Sequence, residues 1–242
     1  MSLAEIKTLT HQLRLLGMHN AVERRIANAR AEGLTVDEFI LSLLEDEKQH
    51  RKNVATKVLE TRAKFRRDSL LENWDNSFDR GITKTKLREL AELGFWTLKK
   101  NLIIVGSTGC GKTQLSIALG RAACQMELTV LFISVQQLLA EASAEKGAGN
   151  FQKWLRKIKK FDVMILDDFA LRPYTHDEAV FMVDLFEDRY RKKIQIISSQ
   201  VDVGGWKTLF EDPIVADALI DRLKNPSEKI ELKGTSYRNK LG

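Results

Sequence analysis

The apolar positions change rhythm about a third of the way along the chain. Up to about residue 67 they recur every three or four residues, the period of a helix that buries one face. Leu3, Ile6, Leu9, Leu13 and Leu16 make one such stripe, and Gly17 is a natural stop for it. An Ala-rich segment continues from Asn20 to Ala31 and closes at Gly33. Thr35, with Glu38 three residues later, has the form of a capping box. From there to Arg67 neither Gly nor Pro interrupts. That stretch reads as one long helix, or as two with a break near Asn53.

From Asp68 to Lys84 the period dissolves among Asn73, Asp75, Asn76, Ser77 and Gly81, which marks a boundary. Trp74 and Phe78 within it are expected to pack onto the second domain. Beyond the boundary, short β-branched runs at Leu102–Val105, Val130–Ile133, Val163–Leu166 and Ile194–Ile197 alternate with helical patterns. These patterns cover Lys112–Met126, Gln136–Glu145, Phe151–Lys160 and Asp177–Arg191. Strands separated by helices imply parallel order, right-handed crossovers and a sheet covered on both faces. The expected architecture is an α/β domain over residues 69–242, its parallel sheet flanked by helices, preceded by a small all-helical domain over residues 1–68.

Composition narrows the class. The chain has 242 residues, 43% hydrophobic and 30% charged, within the range of ordinary globular proteins. No apolar run approaches the ~20 residues of a membrane span. The N-terminus has no basic-then-apolar leader, so a cytoplasmic protein with no membrane partner is expected. Two cysteines, Cys110 and Cys124, and four scattered histidines exclude a disulfide framework and a zinc site of usual spacing. The excess of 39 Lys and Arg over 33 Asp and Glu is only +6.

Chemistry is concentrated in a few motifs. Gly106-Ser107-Thr108-Gly109-Cys110-Gly111-Lys112-Thr113 fits G-x-x-x-x-G-K-[ST] at every position. Chance produces this pattern about once in a hundred chains of this size, and here a β-rich run precedes it and a helical pattern succeeds it. The glycines let successive N–H groups point at phosphate oxygens. Lys112 supplies a point charge for the terminal phosphates, Thr113 a hydroxyl for Mg²⁺, and the helix its positive end. Val163-Met164-Ile165-Leu166 then delivers Asp167 and Asp168 to the edge of a parallel sheet where ligands collect. Asp167 suits the metal and Asp168 the attacking water. Ser198, Ser199 and Gln200 end the next strand, where a polar side chain can meet the γ-phosphate. Arg222 lies on an amphipathic helix. Such an arginine is ordinarily solvated, and gains a role if it is presented to a neighbouring subunit's nucleotide.

Taken together, Gly106–Thr113, Ile165-Leu166-Asp167-Asp168-Phe169, Ile197-Ser198-Ser199-Gln200 and Ile220-Asp221-Arg222-Leu223 resemble the IstB family, over nearly the whole chain. Leu15-Leu16-Gly17-Met18 and the stretch from Ile230 to Arg238 are also similar to it. These are AAA+ P-loop ATPases that accompany the transposase of certain insertion sequences, and they are similar to DnaC-type helicase loaders. The resemblance implies ATP and Mg²⁺ as cofactors, hydrolysis to ADP and phosphate, and a homo-oligomer with ATP at subunit interfaces. It implies partnership with double-stranded DNA and a cognate transposase. It also implies that Asp168 stands where most AAA+ proteins carry Glu, that Ser199 or Gln200 is sensor 1, and that Arg222 is a trans-acting finger; with no lid-domain pattern after Arg222, Arg238 is left without an assigned sensor-2 role. Ala170 departs from the family's usual Gly, and Asn53 from a usually basic position. A helicase loader, and an adaptor that binds ATP with negligible turnover, remain as alternatives.

Placement of charge favours nucleic acid. Between Lys48 and Arg67 eight basic residues face one acid, Glu60, a local +7. Lys48, Arg51 and Lys52 share one helical face, as do Arg62 and Arg66. A second basic segment leaves Lys153, Arg156, Lys157, Lys159 and Lys160 opposite a stripe of Phe151, Trp154, Leu155 and Ile158. Such stripes are the footprint of phosphate contact, and without a base-reading motif the expected binding is mostly sequence-independent.

Overall fold

A computed structural model of the chain describes residues 2–66, 69–75, 80–92 and 94–234. Arg67, Phe78 and Thr235 through Arg238 lie outside the described residues. The chain divides into two compact units, residues 1–58 and 59–242.

The first unit holds helices α1 (Leu3–Gln12), α2 (Leu16–Glu32) and most of α3 (Val36–Ala63). Ser2 and Glu5 form a capping box at the start of α1, and the expected box of Thr35 and Glu38 opens α3. Gly33 ends α2 in the left-handed conformation, as its position suggested. Gly17, by contrast, does not stop α1, which already ends at Gln12. Gly17 lies inside the first turn of α2, where its N–H and that of Met18 donate to the buried Glu47 carboxylate at 2.7 and 3.2 Å. A carboxylate there satisfies orphan donors of the helix and complements its positive end. Burial works to raise the Glu47 pKa, but the Arg51 guanidinium and the two N–H groups outweigh it and hold the carboxyl below its usual value. Helix α3 runs through Asn53 without a break, and Gln49 engages the Asn53 side chain from one turn back, at 2.8 Å. The division between the units falls within this helix, ahead of Asp68.

The second unit is built on a five-stranded sheet. Its strands are β1 (Asn101–Gly106), β2 (Val130–Ser134), β3 (Val163–Phe169), β4 (Ile194–Ser199) and β5 (Ser227–Leu232). All pairings are parallel, in the order β2-β3-β4-β1-β5. The helices are α4 (Lys84–Ala91), α5 (Gly94–Thr97), α6 (Lys112–Gln125), α7 (Val135–Gly147), α8 (Phe151–Lys159), α9 (His176–Arg189) and α10 (Pro213–Lys224).

Period-two alternation sorts the strand residues between two cores. Val163, Ile165, Ile194 and Ile196 point to the side of α4, α5 and α6, where Trp74 is also buried. Met164, Leu166 and Ile197 point to the side of α7 to α10 and Trp206. Two polar residues hold the sheet's N-terminal edge together. Asp162 accepts from Thr129 N and Oγ1 at 3.0 and 2.7 Å and pairs with Lys193. Arg189, fully buried, donates to Phe161 O at 2.8 Å and Ile194 O at 3.1 Å. Burial lowers its pKa to about 10.

Candidate nucleotide site

The C-terminal edge of the sheet gathers the motif residues. Strand β1 ends at Gly106, which lies between Leu232 of β5 and the phosphate-binding loop. A Cβ on Gly106 would stand 2.3 Å from Leu232 O and 2.8 Å from Cys110 Sγ. At Gly111 φ is +102°, and a Cβ would stand 2.7 Å from Arg80 Nη1. Arg80 is itself buried, its guanidinium 4.0 Å from the Trp74 ring and its Nη1 3.3 Å from Gln114 Oε1. Only glycine satisfies both the conformation and the packing at these two positions. The loop is thus clamped from behind, with the first turn of α6 as its continuation.

Lys112 is buried, and its Nζ donates to Gly106 O and Ser107 O at 2.9 Å each. The ammonium therefore sits within the curve of the loop. Thr113 Oγ1 donates to both Asp167 oxygens at 3.0 and 3.1 Å, which joins two motifs 54 residues apart. Ser198 completes the cluster. Its hydroxyl donates to Asp167 Oδ1 and accepts from Asp168 N at 3.2 Å.

The chain bends sharply after this cluster. Asp168 and Ala170 both have positive φ, 56° and 60°. Aspartate tolerates the left-handed region better than most residues, whereas alanine pays its full steric cost. Here the departure from glycine at Ala170 has its consequence, and a neighbour fixes the turn: Ala170 N donates to Tyr174 Oη at 2.8 Å. Burial pushes the Tyr174 phenol up to about 12.

The two sensor candidates separate. Gln200 Oε1 accepts from Thr108 Oγ1 at 2.8 Å, which places it against the loop. Ser199 is fully buried on the other face of the strand, where its hydroxyl donates to Val201 O at 2.8 Å and accepts from Trp206 Nε1 at 3.2 Å. Arg222 is not near the loop. Its backbone carbonyl accepts from Asn101 Nδ2 at 3.2 Å, at the opposite end of β1. Sequence reasoning placed Ser198 only within a strand ending and missed Arg80 altogether. Strand alternation is the available signal for Ser198, because residues 163, 165 and 167 share a face with 194, 196 and 198.

The Thr113 hydroxyl and the Asp167 carboxylate are hard oxygen donors, and they fit Mg²⁺. Among the described residues no group of three or more His, Cys, Asp or Glu could hold a metal by itself. A metal here would be shared with its ligand.

The basic residues fall into two sets. Lys48, Arg51 and Lys52 are exposed on the first unit, with Arg51 Nε paired to Glu47 at 2.7 Å. Within the second unit, the end of α3 and the α7–α8 region frame a groove of about 830 Å³, with Arg62, Lys64, Lys157 and Lys160 around an apolar floor that includes Trp154. Lys153 and Arg156 are exposed on α8, while Lys159 pairs with Asp188. Arg66 Nη2 donates to Gln137 at 3.3 Å. Among the described residues no helix is long and apolar enough to cross a membrane.

A glycine-clamped loop, its lysine, a Thr–Asp pair and a 2-3-4-1-5 parallel sheet define an ATP-binding protein of the P-loop AAA+ class. Solved structures agree on the fold. The helicase loader DnaC superposes with a TM-score of 0.55 at 16% identity, over 68% of this chain and 97% of that one. DnaI gives 0.57 at 22%, over 69% and 89%. AMPPCP-bound DnaA from Aquifex aeolicus gives 0.58 at 22%, over 74% and 54%. A family model described as "IstB-like ATP binding protein" matches residues 8–241, and the chain belongs to that family. Among its relatives, y4pL of Sinorhizobium fredii, named as an insertion-sequence ATP-binding protein, is 32% identical over 93% of this chain and 91% of its own length. The IS21 protein of Pseudomonas aeruginosa, named in the same way, is 31% identical over 98% and 89%.

Proposed function

We propose that this protein is a Mg²⁺-dependent ATPase that assembles on duplex DNA and recruits or activates the transposase of its insertion sequence. The observation that carries the reading is the joining of Thr113, Asp167 and Ser198 beneath the loop that holds Lys112. A bound Mg²⁺ would neutralise charge on the β- and γ-phosphates. The residues of the chain do the rest. Loop N–H groups and Lys112 hold the phosphates, while Thr113 and Asp167 offer oxygens to the metal. Asp168 orients the attacking water, and Gln200 reports on the terminal phosphate from its place beside Thr108. Arg222, far from its own loop, serves the site of a neighbouring subunit.

For DNA, support comes from the groove that brings Arg62 and Lys64 together with Lys157 and Lys160. Two segments some ninety residues apart thereby line one groove in which these four basic side chains outnumber Glu141 and Glu145, a net positive surface suited to phosphate contact without base reading. A DnaA of the same fold has been solved with AMPPCP and single-stranded DNA, which supports nucleic acid as a ligand of this fold. Membership in a family named for insertion sequences favours transposition over helicase loading, although DnaC and DnaI share the fold.

Turnover measured with and without duplex DNA tests this reading. DNA-stimulated hydrolysis that Asp168→Asn abolishes, with ATP still bound, is the expected result. Binding with negligible turnover under both conditions would make the protein a nucleotide switch. Co-purification with a replicative helicase in place of the transposase would make it a loader.

A further inference from the structure

Arg222 lies in the last turn of α10, and Glu187 lies in the last turn of α9. The Arg222 guanidinium donates through Nε to Glu187 Oε2 and through Nη1 to Ala218 O at 2.6 Å. Its side chain is 25% exposed, against 57% for Glu187. A guanidinium carries five N–H donors in a rigid plane, so fixing Nε and Nη1 fixes the direction of the third nitrogen. Nη2 makes no hydrogen bond to any described residue. The arrangement leaves one end of the fork for an anion, with the other end already oriented by the protein.

That anion is not the chain's own nucleotide. Asn101 Nδ2 binds Arg222 O and Leu223 O at 3.2 and 2.9 Å, which pins the end of α10 to the first residue of β1. Gly106, where the phosphate loop begins, lies five residue steps along that strand, about 16 Å away at ~3.3 Å per residue. An arginine cannot cover that distance.

We infer that Glu187 is a positioning residue, which holds the Arg222 guanidinium so that Nη2 points at the phosphates bound by an adjoining copy of this chain. The inference rests on the proposed trans role of Arg222. A pair with one partner this exposed adds little to stability, so its loss should show in the aim of Arg222 and not in the melting midpoint. An arginine finger contributes 10³–10⁵ in rate, and a small misplacement of a catalytic group forfeits a large part of such a factor.

The test is ATP turnover on saturating duplex DNA, with ATP affinity and thermal midpoint measured alongside. Glu187→Ala is expected to lower kcat about tenfold or more, leaving ATP affinity and the midpoint near wild type. Glu187→Gln, whose amide oxygen still accepts from Nε, should recover most of the rate. The double variant Glu187→Ala/Arg222→Ala should be no slower than Arg222→Ala alone, since both act through one group. If Arg222→Ala abolishes turnover while Glu187→Ala stays within twofold of wild type, or becomes faster, the positioning inference is overturned and the finger stands. A loss in Glu187→Ala that adds fully to that of Arg222→Ala, or that accompanies a fall in the midpoint, overturns it as well. Full activity of Arg222→Ala would instead remove the finger reading on which the inference rests.

Discussion

Ser198→Ala offers a quantitative probe of the site because one buried oxygen serves two chain segments. The hydroxyl donates to the Asp167 carboxylate and accepts the N–H of Asp168, and the residue is fully buried. A hydrogen bond to a charged group contributes about 1.5–3 kcal/mol. The Asp168 N–H loses the same acceptor, and because one oxygen serves both contacts their losses do not add in full; the upper part of that range, about 2–3 kcal/mol, is expected. For a unit of this size each kcal/mol moves the midpoint by about 2–4 °C, which gives a fall of roughly 4–12 °C in a calorimetric scan. The Mg²⁺ concentration needed for tight ATP binding should rise as well, because Asp167 loses the contact that orients it. Ser198→Thr keeps the oxygen and should retain the Mg²⁺ dependence. A Ser198→Ala protein that melts within 1 °C of wild type, with the same Mg²⁺ requirement, would refute the cluster as described.

The same geometry sets three further outcomes. Arg189→Ala should cost about 3 kcal/mol or more, since it strips the carbonyls of Phe161 and Ile194 of a buried donor and leaves a cavity; a urea midpoint unchanged from wild type would contradict this. Burial tends to raise the Asp162 pKa, but Lys193 and Thr129 hold it below its ordinary value. Its contribution is therefore complete above the unfolded carboxyl pKa of about 4 and disappears as pH falls through the lower folded value. Asp162→Asn should flatten that acid limb of a stability profile, and an unchanged limb would exclude the residue as its source. The pair Lys157→Glu and Lys160→Glu should weaken duplex binding and reduce the slope of log affinity against log salt; an unchanged slope would remove the groove from the DNA surface.

Much of this site is legible in the sequence. Gly106–Thr113 and Asp167 carry local signals, because the loop needs its residues at fixed spacing and the acid must come directly after an apolar strand. Two kinds of feature escape. Ser198 and Ser199 are adjacent and chemically alike, and only the parity of β4 tells that one faces Asp167 and the other Trp206. Strand β5 reads Ser-Glu-Lys-Ile-Glu-Leu, an edge strand with Ile230 and Leu232 as its buried residues, so its apolar alternation is too short to stand out. Yet it supplies the carbonyl that makes glycine obligatory at position 106. In the helical unit the periodicity is present but misleading. Leu9, Leu13 and Leu16 repeat like a core stripe, but they are 49, 67 and 39% exposed, and Gly17 serves the approach of Glu47 instead of ending a helix. Long-range proximity is the common cause, since Arg80 against Gly111 and Arg62 beside Lys157 belong to no local pattern.

In the proposed function, ATP held at Lys112 favours the assembly on DNA. That claim is tested most directly by the affinity of a labelled duplex, measured by fluorescence anisotropy at fixed salt, with and without Mg²⁺·ATP, for wild type and Lys112→Ala. Wild type is expected to bind more tightly when ATP is present, and Lys112→Ala to keep its weak, salt-sensitive affinity but gain nothing from ATP. Equal affinity with and without ATP in the wild type, or the same ATP gain in Lys112→Ala, would contradict it.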